Sequence, residues 1–186
     1  HGDDELFTRE QMVSWFDGSH LSKSPAQWDA AKLAWVNAQY IKAKADAELA
    51  PLVAAQLKKR GIEADDRLAA ICALFKDRCE TTVALADWAA AFYTDVTPSE
   101  ADRTQHVTDA VKPVIATLAE KLASVPWEKV SIAAAIKEVL AAHSVKMPVL
   151  AMPVRVLVMG TPQTPSLDSV LAIFSREKVV ERLKRA

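Results

Sequence analysis

Asp65-Asp66-Arg67-Leu68-Ala69-Ala70-Ile71-Cys72-Ala73-Leu74-Phe75-Lys76 places Leu68, Ile71, Cys72 and Phe75 at three- and four-residue spacing, which stacks them on one face of an α-helix. The same period recurs on both sides of this stretch, Ala, Leu, Lys and Glu are abundant, and few segments alternate strictly enough for strands. The expected class is therefore all-α. Toward the C-terminus, Thr82 to Tyr93 reads as the next helix, carrying Val83, Leu85, Ala86, Ala89, Ala90 and Phe92, and Thr94-Asp95-Val96-Thr97-Pro98-Ser99 reads as a turn and a subdomain boundary. A longer helical stretch from Ser99 to Ser124 is expected to bend at Pro113, and Pro126-Trp127 opens another through Ile132, Ile136, Val139 and Leu140 to His143.

The segment Met147 to Met159 stays open at this level. Val149, Val154, Val156 and Val158 favour a strand, while Pro153 suits the first turn of a short helix. Gly160 to Ser166 is a proline-punctuated loop, and Leu167 to Ala186 reads as one final amphipathic helix with Leu171, Phe174, Val179, Val180 and Leu183 turned inward. Toward the N-terminus, a helix from about Ala47 to Arg60 ends at Gly61. Before it, a helix bears Trp28, Leu33, Trp35, Val36 and Tyr40 with Asp29 near its start; Trp28 and Trp35 are seven apart and are expected to form a core face. The first helix begins with Thr8 and Gln11 in capping-box spacing and stops near Gly18.

Composition narrows the function classes. With 186 residues, 51% of them hydrophobic, the chain suits one or two small globular domains. No apolar run approaches the roughly 18 to 20 residues of a membrane span, and His1-Gly2-Asp3-Asp4-Glu5 lacks the layout of a secretory signal, so a cytoplasmic chain without membrane contact is the expectation. Cys72 and Cys79 read as reduced core thiols on one helix, about 10 Å apart along its axis and too far for a disulfide. The four glycines are too scattered for a phosphate-cradling loop. His1, His20, His106 and His143 do not share metal-ligand spacing with one another or with a cysteine, so no metal site is expected. No catalytic motif emerges, and Asp3/Asp4 and Asp65/Asp66 read as helix caps. The near-neutral balance hides an asymmetry: residues 137–186 hold eight basic groups against four acidic ones. Such an excess attracts a polyanion or is simply a solvated face.

Four passages together resemble the C-terminal portion of a bacterial glutamyl-tRNA synthetase. They are Asp3-Asp4-Glu5-Leu6-Phe7-Thr8; Ser22-Lys23-Ser24-Pro25-Ala26 with Lys32-Leu33-Ala34-Trp35-Val36-Asn37; Leu74-Phe75-Lys76-Asp77-Arg78; and Met152-Pro153-Val154-Arg155 followed by Gly160 and Thr164-Pro165-Ser166-Leu167. His20-Leu21-Ser22-Lys23-Ser24 is also similar to the catalytic K-L-S-K-S loop of class I aminoacyl-tRNA synthetases. Its first lysine is replaced by histidine and only 19 residues precede it, so it reads as a capped turn.

The resemblance implies a multi-helical anticodon-binding domain: residues 1–45 as the end of a helical tRNA stem-contact region, 46–96 as a first helical subdomain and 97–186 as a second. It implies that Pro153 to Met159 is helical. It carries over Arg78, whose family counterpart contacts an anticodon base and helps distinguish glutamate from glutamine tRNAs, and Arg155, Thr164, Pro165 and Leu167, whose counterparts contact the other anticodon bases. Lys137 falls where the family can present an arginine. No catalytic residue and no cofactor belong to this stretch on that reading; ATP and Mg act in a catalytic domain outside it, and the partner is tRNA(Glu), bound by a monomer. Read without the family, Arg78 is a helix-end residue or a partner of Glu80, Arg155 a surface residue, and Thr164-Pro165 a cap of the last helix. The rival from another class is a helical protein-interaction domain whose Trp/Leu faces dock a partner helix.

Overall fold

The computed structural model describes residues 4–186 apart from positions 20, 22 and 26. The expected capped turn over His20 to Ser24 thus lies partly outside the described residues, as does Asp3. Among the described residues the regular elements are helices: α1 Arg9–Trp15, α2 Ala30–Ala43, α3 Asp46–Lys58, α4 Leu68–Phe75, α5 Thr82–Tyr93, α6 Glu100–His106, α7 Lys112–Leu122, α8 Lys129–Ala142, α9 Met147–Met159, α10 Leu167–Ile173 and α11 Arg176–Leu183. None is long and apolar enough to cross a membrane.

Local chemistry sets many of the ends. Thr8 and Gln11 form the full capping box of α1, and Asp29 caps α2 by accepting from the Lys32 amide. Gly61 (φ +72) takes the left-handed conformation after α3, and the Ile62 amide turns back to the Leu57 carbonyl, which closes the helix. Pro113 sits in the first turn of α7. The expected bend is accordingly a full break before the proline, between α6 and α7, since a proline N–H is not needed at a helix start.

Helices α3, α4 and α5 pack on one another, as do α7, α8, α10 and α11, with α9 against α6, α7 and α11. One continuous core joins the two groups, running from Ile41 and Leu49 through Phe75 and Phe92 to Phe174 and Leu183. The α4 stripe of Leu68, Ile71, Cys72 and Phe75 is buried as expected.

Three expectations are corrected. Trp28 precedes α2 and is 74% exposed, and Trp35 is 42% exposed: a seven-residue spacing makes a face only when both residues lie in the helix, and α2 buries Ala38 and Ile41 instead. The last helix is two helices, because Phe174 adopts an extended conformation and Ser175 caps α11 by accepting from the Lys178 amide. Phe174 leaves the helical path to stack on Phe92 and to accept from Trp127 Nε1 at 2.7 Å. Cys79 does not share a helix with Cys72: α4 ends at Phe75, and a 3-10 turn, Lys76–Arg78, precedes it. Both cysteines are free and buried.

The ambiguous segment is helical. Leu150, Ala151, Pro153, Val154, Val156, Leu157, Val158 and Met159 of α9 are all buried, and a helix packed on most sides shows no amphipathic period. Its β-branched residues therefore mark burial rather than a strand.

Candidate nucleic-acid interface

Lys137 on α8, Arg155 on α9 and Leu167 at the start of α10 line one groove of about 400 Å³, with Met147, Ala151 and Asp168 in its walls. Arg155 is half-buried. Its Nη2 donates to the Pro165 carbonyl at 3.3 Å, while its Nε is buried without a hydrogen-bond partner among the described residues. The Pro165 carbonyl also accepts from Thr164 Oγ1 at 3.1 Å, so the Thr164-Pro165 turn is pinned beneath Arg155. Gly160 makes the turn possible by ending α9 at φ +76. Thr164 and Leu167 keep only 6% and 4% of their surface exposed, which leaves Pro165, Arg155 and Lys137 as the groups most open to a ligand.

Arg78 projects from the 3-10 turn after α4 and is exposed. It lines a second groove of about 270 Å³ with Trp35, Gln39 and Lys42 of α2 and with Asp77 and Glu80. The turn is held from two directions: Lys76 Nζ pairs with Asp46 at 2.8 Å and donates to the Lys44 carbonyl at 2.9 Å, and Asn37 Nδ2 donates to the Glu80 carbonyl. Burial, and then the like charge of nearby Arg78, hold the Arg155 guanidinium below its ordinary pKa. The two arginines carried over from the resemblance, 77 positions apart, thus feel each other's charge.

Among the described residues neither Arg78, Arg155 nor Lys137 makes an ion pair, whereas Lys32, Lys44, Arg60, Arg67, Lys76, Lys112, Lys121, Lys129, Lys178 and Arg185 each do. The expected alternative of an Arg78–Glu80 pair does not form, and Thr164 does not cap α10, whose N-cap residue Ser166 makes no side-chain cap bond. Arg155 and Lys137 thus leave positive charge without an ion-pair partner beside the pinned turn, and Arg78 does so in the second groove, a charge distribution that attracts anions.

Residues 47–186 match the family described as an anticodon binding domain. The chain belongs to that family. The anticodon-binding domain is 65% identical over 184 residues to the glutamate–tRNA ligase of Albidiferax ferrireducens, covering 99% of this chain and 40% of that protein. It is 62% identical over 190 residues to the glutamate–tRNA ligase of Paracidovorax citrulli, covering 100% of this chain and again 40% of the relative. The chain therefore spans about 40% of the length of the curated relatives it matches. Its fold is similar to a crystal structure of a glutamate tRNA ligase from Elizabethkingia meningosepticum, with a TM-score of 0.88 at 19% identity over 99% of this chain and 37% of that one. The family is that of an anticodon-binding domain and not the protein-interaction class.

The placement of two residues of the anticodon-binding domain was not legible in the sequence. Trp35, assigned to the core from its spacing, stands in the wall of the Arg78 groove with Lys32 Nζ 4.4 Å from its ring centroid. Arg182 is fully buried; its one sequence signal is a three-residue spacing from Val179 on the apolar side of α11.

Proposed function

We propose that this domain reads the anticodon loop of tRNA(Glu) as the C-terminal part of a cytoplasmic, monomeric glutamate–tRNA ligase, a class I synthetase that attaches glutamate to its tRNA. Residues 1–45 form the end of the stem-contact region, and residues 46–96 and 97–186 the two reading subdomains. ATP and Mg serve the activation step in the part of the ligase outside this chain. The observation that carries the reading is that Arg155 and Lys137, neither of them ion-paired among the described residues, line one groove beside the Thr164-Pro165 turn, with Arg78 exposed in a second groove.

That combination suits an unstacked RNA loop. Splayed bases are recognised along their Watson–Crick edges and by stacking on planar side chains, and a guanidinium offers both a plane and a fork of donors. Lys137, a point charge, suits a phosphate. The exposed face of Trp35 beside Arg78 adds an aromatic plane. Reading the loop orients the tRNA so that its acceptor end meets the distant catalytic centre, a contribution of positioning rather than of bond chemistry. The chain on its own binds and does not catalyse.

The test is binding of native tRNA(Glu), and of the same tRNA altered only in its anticodon, at two salt concentrations. The one phosphate contact, from Lys137, predicts a log–log salt slope of roughly −0.7, and a slope of about −2 would mean that both arginines meet phosphates too, at about 0.7 per single-strand contact. Preference for the native anticodon supports base reading. Equal affinity for both RNAs reduces the function to nonspecific RNA binding, and a flat salt dependence removes the electrostatic footprint.

A further inference from the structure

We propose that Arg182 is a positioning residue that holds Arg78 and Arg155 in register, so that the two read one loop together; this rests on the base-reading function above. Arg182 belongs to α11 and is fully buried, yet among the described residues no carboxylate pairs with it. Asp95, a carboxylate whose charge reaches Arg182, is held by Lys178 at 2.9 Å and by Arg185 at 3.6 Å. The guanidinium instead donates to main-chain carbonyls at the ends of two other helices. Its Nη1 donates to Ala91 at 3.0 Å and to Val158, and its Nη2 to Thr94 at 2.7 Å. The Phe174 ring lies against it, 5.0 Å from centroid to guanidinium carbon.

Ala91 and Thr94 close α5, and Val158 closes α9. Helix C-termini carry unpaired carbonyls and the negative end of the helix dipole, so the two ends jointly take the place of a counterion. Displacing either end strips a buried cation of acceptors, and a buried, unsolvated charge is costly. The distance between those two ends is consequently stiff. An apolar side chain of similar volume fills a core at least as well as a buried ion does, but it has no donors to lock two helix ends together.

Arg182 locks the C-terminal ends of both helices, and the reading groups lie along the same two helices: Arg155 about one turn before the locked end of α9, and Arg78 just beyond the opposite, N-terminal end of α5. Thr82, the first residue of α5, follows Arg78 by only four positions, and Arg155 lies three residues before Val158 on α9. After α9, Gly160 leads into the Thr164-Pro165 turn that Arg155 pins. One side chain thus ties the 3-10 turn of Arg78, through α5, to the helix and turn of Arg155, while touching neither groove.

The experiment compares the unaltered 186-residue chain with Arg182→Lys and Arg182→Met, each assayed well below its own thermal transition. Non-cysteine spin labels at exposed Asp77 and Val149 report the separation of the two reading elements and leave the buried thiols in place. The distance distribution is expected to be narrow in the unaltered chain, wider in Arg182→Lys and widest in Arg182→Met. The affinity ratio between native tRNA(Glu) and its anticodon-altered counterpart is expected to fall by about twofold to thirtyfold, the span typical of a connecting residue that touches no ligand. Affinity for the altered tRNA itself stays the same. If Arg182 only fills the core, the variants melt earlier while the distance distribution and the ratio remain those of the unaltered chain, and the proposal is overturned. Should Arg182→Met fail to fold, Arg182→Lys decides alone. Absence of any anticodon preference in the unaltered chain defeats base reading instead, and the label distances still decide whether Arg182 holds the two elements.

Discussion

Phe92 on α5 and Phe174 between α10 and α11 stack with ring centroids 4.4 Å apart and planes 19° from parallel. Phe75 meets the same Phe92 ring edge-on at 5.9 Å, so the seam between the two helical groups is aromatic. Phe174→Ala removes the stack and the face that lies against Arg182, and is expected to cost about 3 to 5 kcal/mol, as for other buried phenylalanines. Urea unfolding gives the figure; a loss below about 1 kcal/mol would place the seam elsewhere.

Arg78 and Arg155 separate a ligand role from a structural one. Arg78 is exposed and its side chain has no ion pair or hydrogen bond among the described residues, so Arg78→Ala is expected to shift stability by less than about 0.5 kcal/mol. Its discrimination between tRNAs differing at one anticodon base should nevertheless fall by about 1 to 3 kcal/mol. Arg155→Ala also removes one of the two donors to the Pro165 carbonyl and should lose both discrimination and up to about 1 kcal/mol of stability. Arg155→Lys should not restore base reading, because an ammonium lacks the planar fork. Unchanged base preference in Arg78→Ala would remove that residue from the reading set.

Alkaline pH tests the interior. Burial raises the thiols of Cys72 and Cys79 from 9.0 to about 11, and burial together with the Asp65 charge raises Tyr93 from 10.0 to about 12. Each folded group keeps its proton at a pH where the unfolded chain has lost it. The folded state therefore binds more protons in that interval, and stability falls as pH rises. The thiol contribution is complete below pH 9 and is lost between about 9 and 11; Tyr93 extends the decline from 10 toward 12. Urea midpoints from pH 8 to 11 should drop, and Cys72→Ala with Cys79→Ala should flatten the slope. A midpoint independent of pH would contradict the burial of these groups.

Gly160 tests the loop. At φ +76 any L-residue is strained by about 1 to 2 kcal/mol, although a Cβ there would meet Val96 Cβ at an ordinary 3.5 Å. Gly160→Ala should destabilise by that amount and Gly160→Asn by less, since asparagine tolerates the left-handed region. Equal melting temperatures for the three proteins would show that the turn relaxes freely.

Helices whose ends rest on local chemistry were legible in the sequence: α1 from Thr8 and Gln11, α2 from Asp29, and α3 from Gly61. Helix α5 was legible from its apolar spacing, and it runs from Thr82 to Tyr93 as the sequence suggests. Propensity failed at α9, where burial on nearly every side erased the period, and only the family resemblance pointed to a helix there. The break at Phe174 and Ser175 was hidden because Phe174 continues the apolar spacing of the helix it interrupts. Its partners, Phe92 and Trp127, lie 82 and 47 positions away.

The same division holds for the site. Residue types, caps and spacing are local, and they determined the all-α class and several helix ends; the resemblance is what singled out Arg78, Lys137, Arg155, Thr164, Pro165 and Leu167. Whether those residues meet is not local. The tertiary structure decided that Lys137, Arg155 and Leu167 share a groove, that Arg78 lines a separate one, and that Trp35 stands in the wall of that second groove instead of in the core. It also decided that Arg182 is buried among three carbonyls. An amphipathic pattern specifies that a face is covered, but the energy of covering it depends on which other faces fit, and only the packed chain selects them.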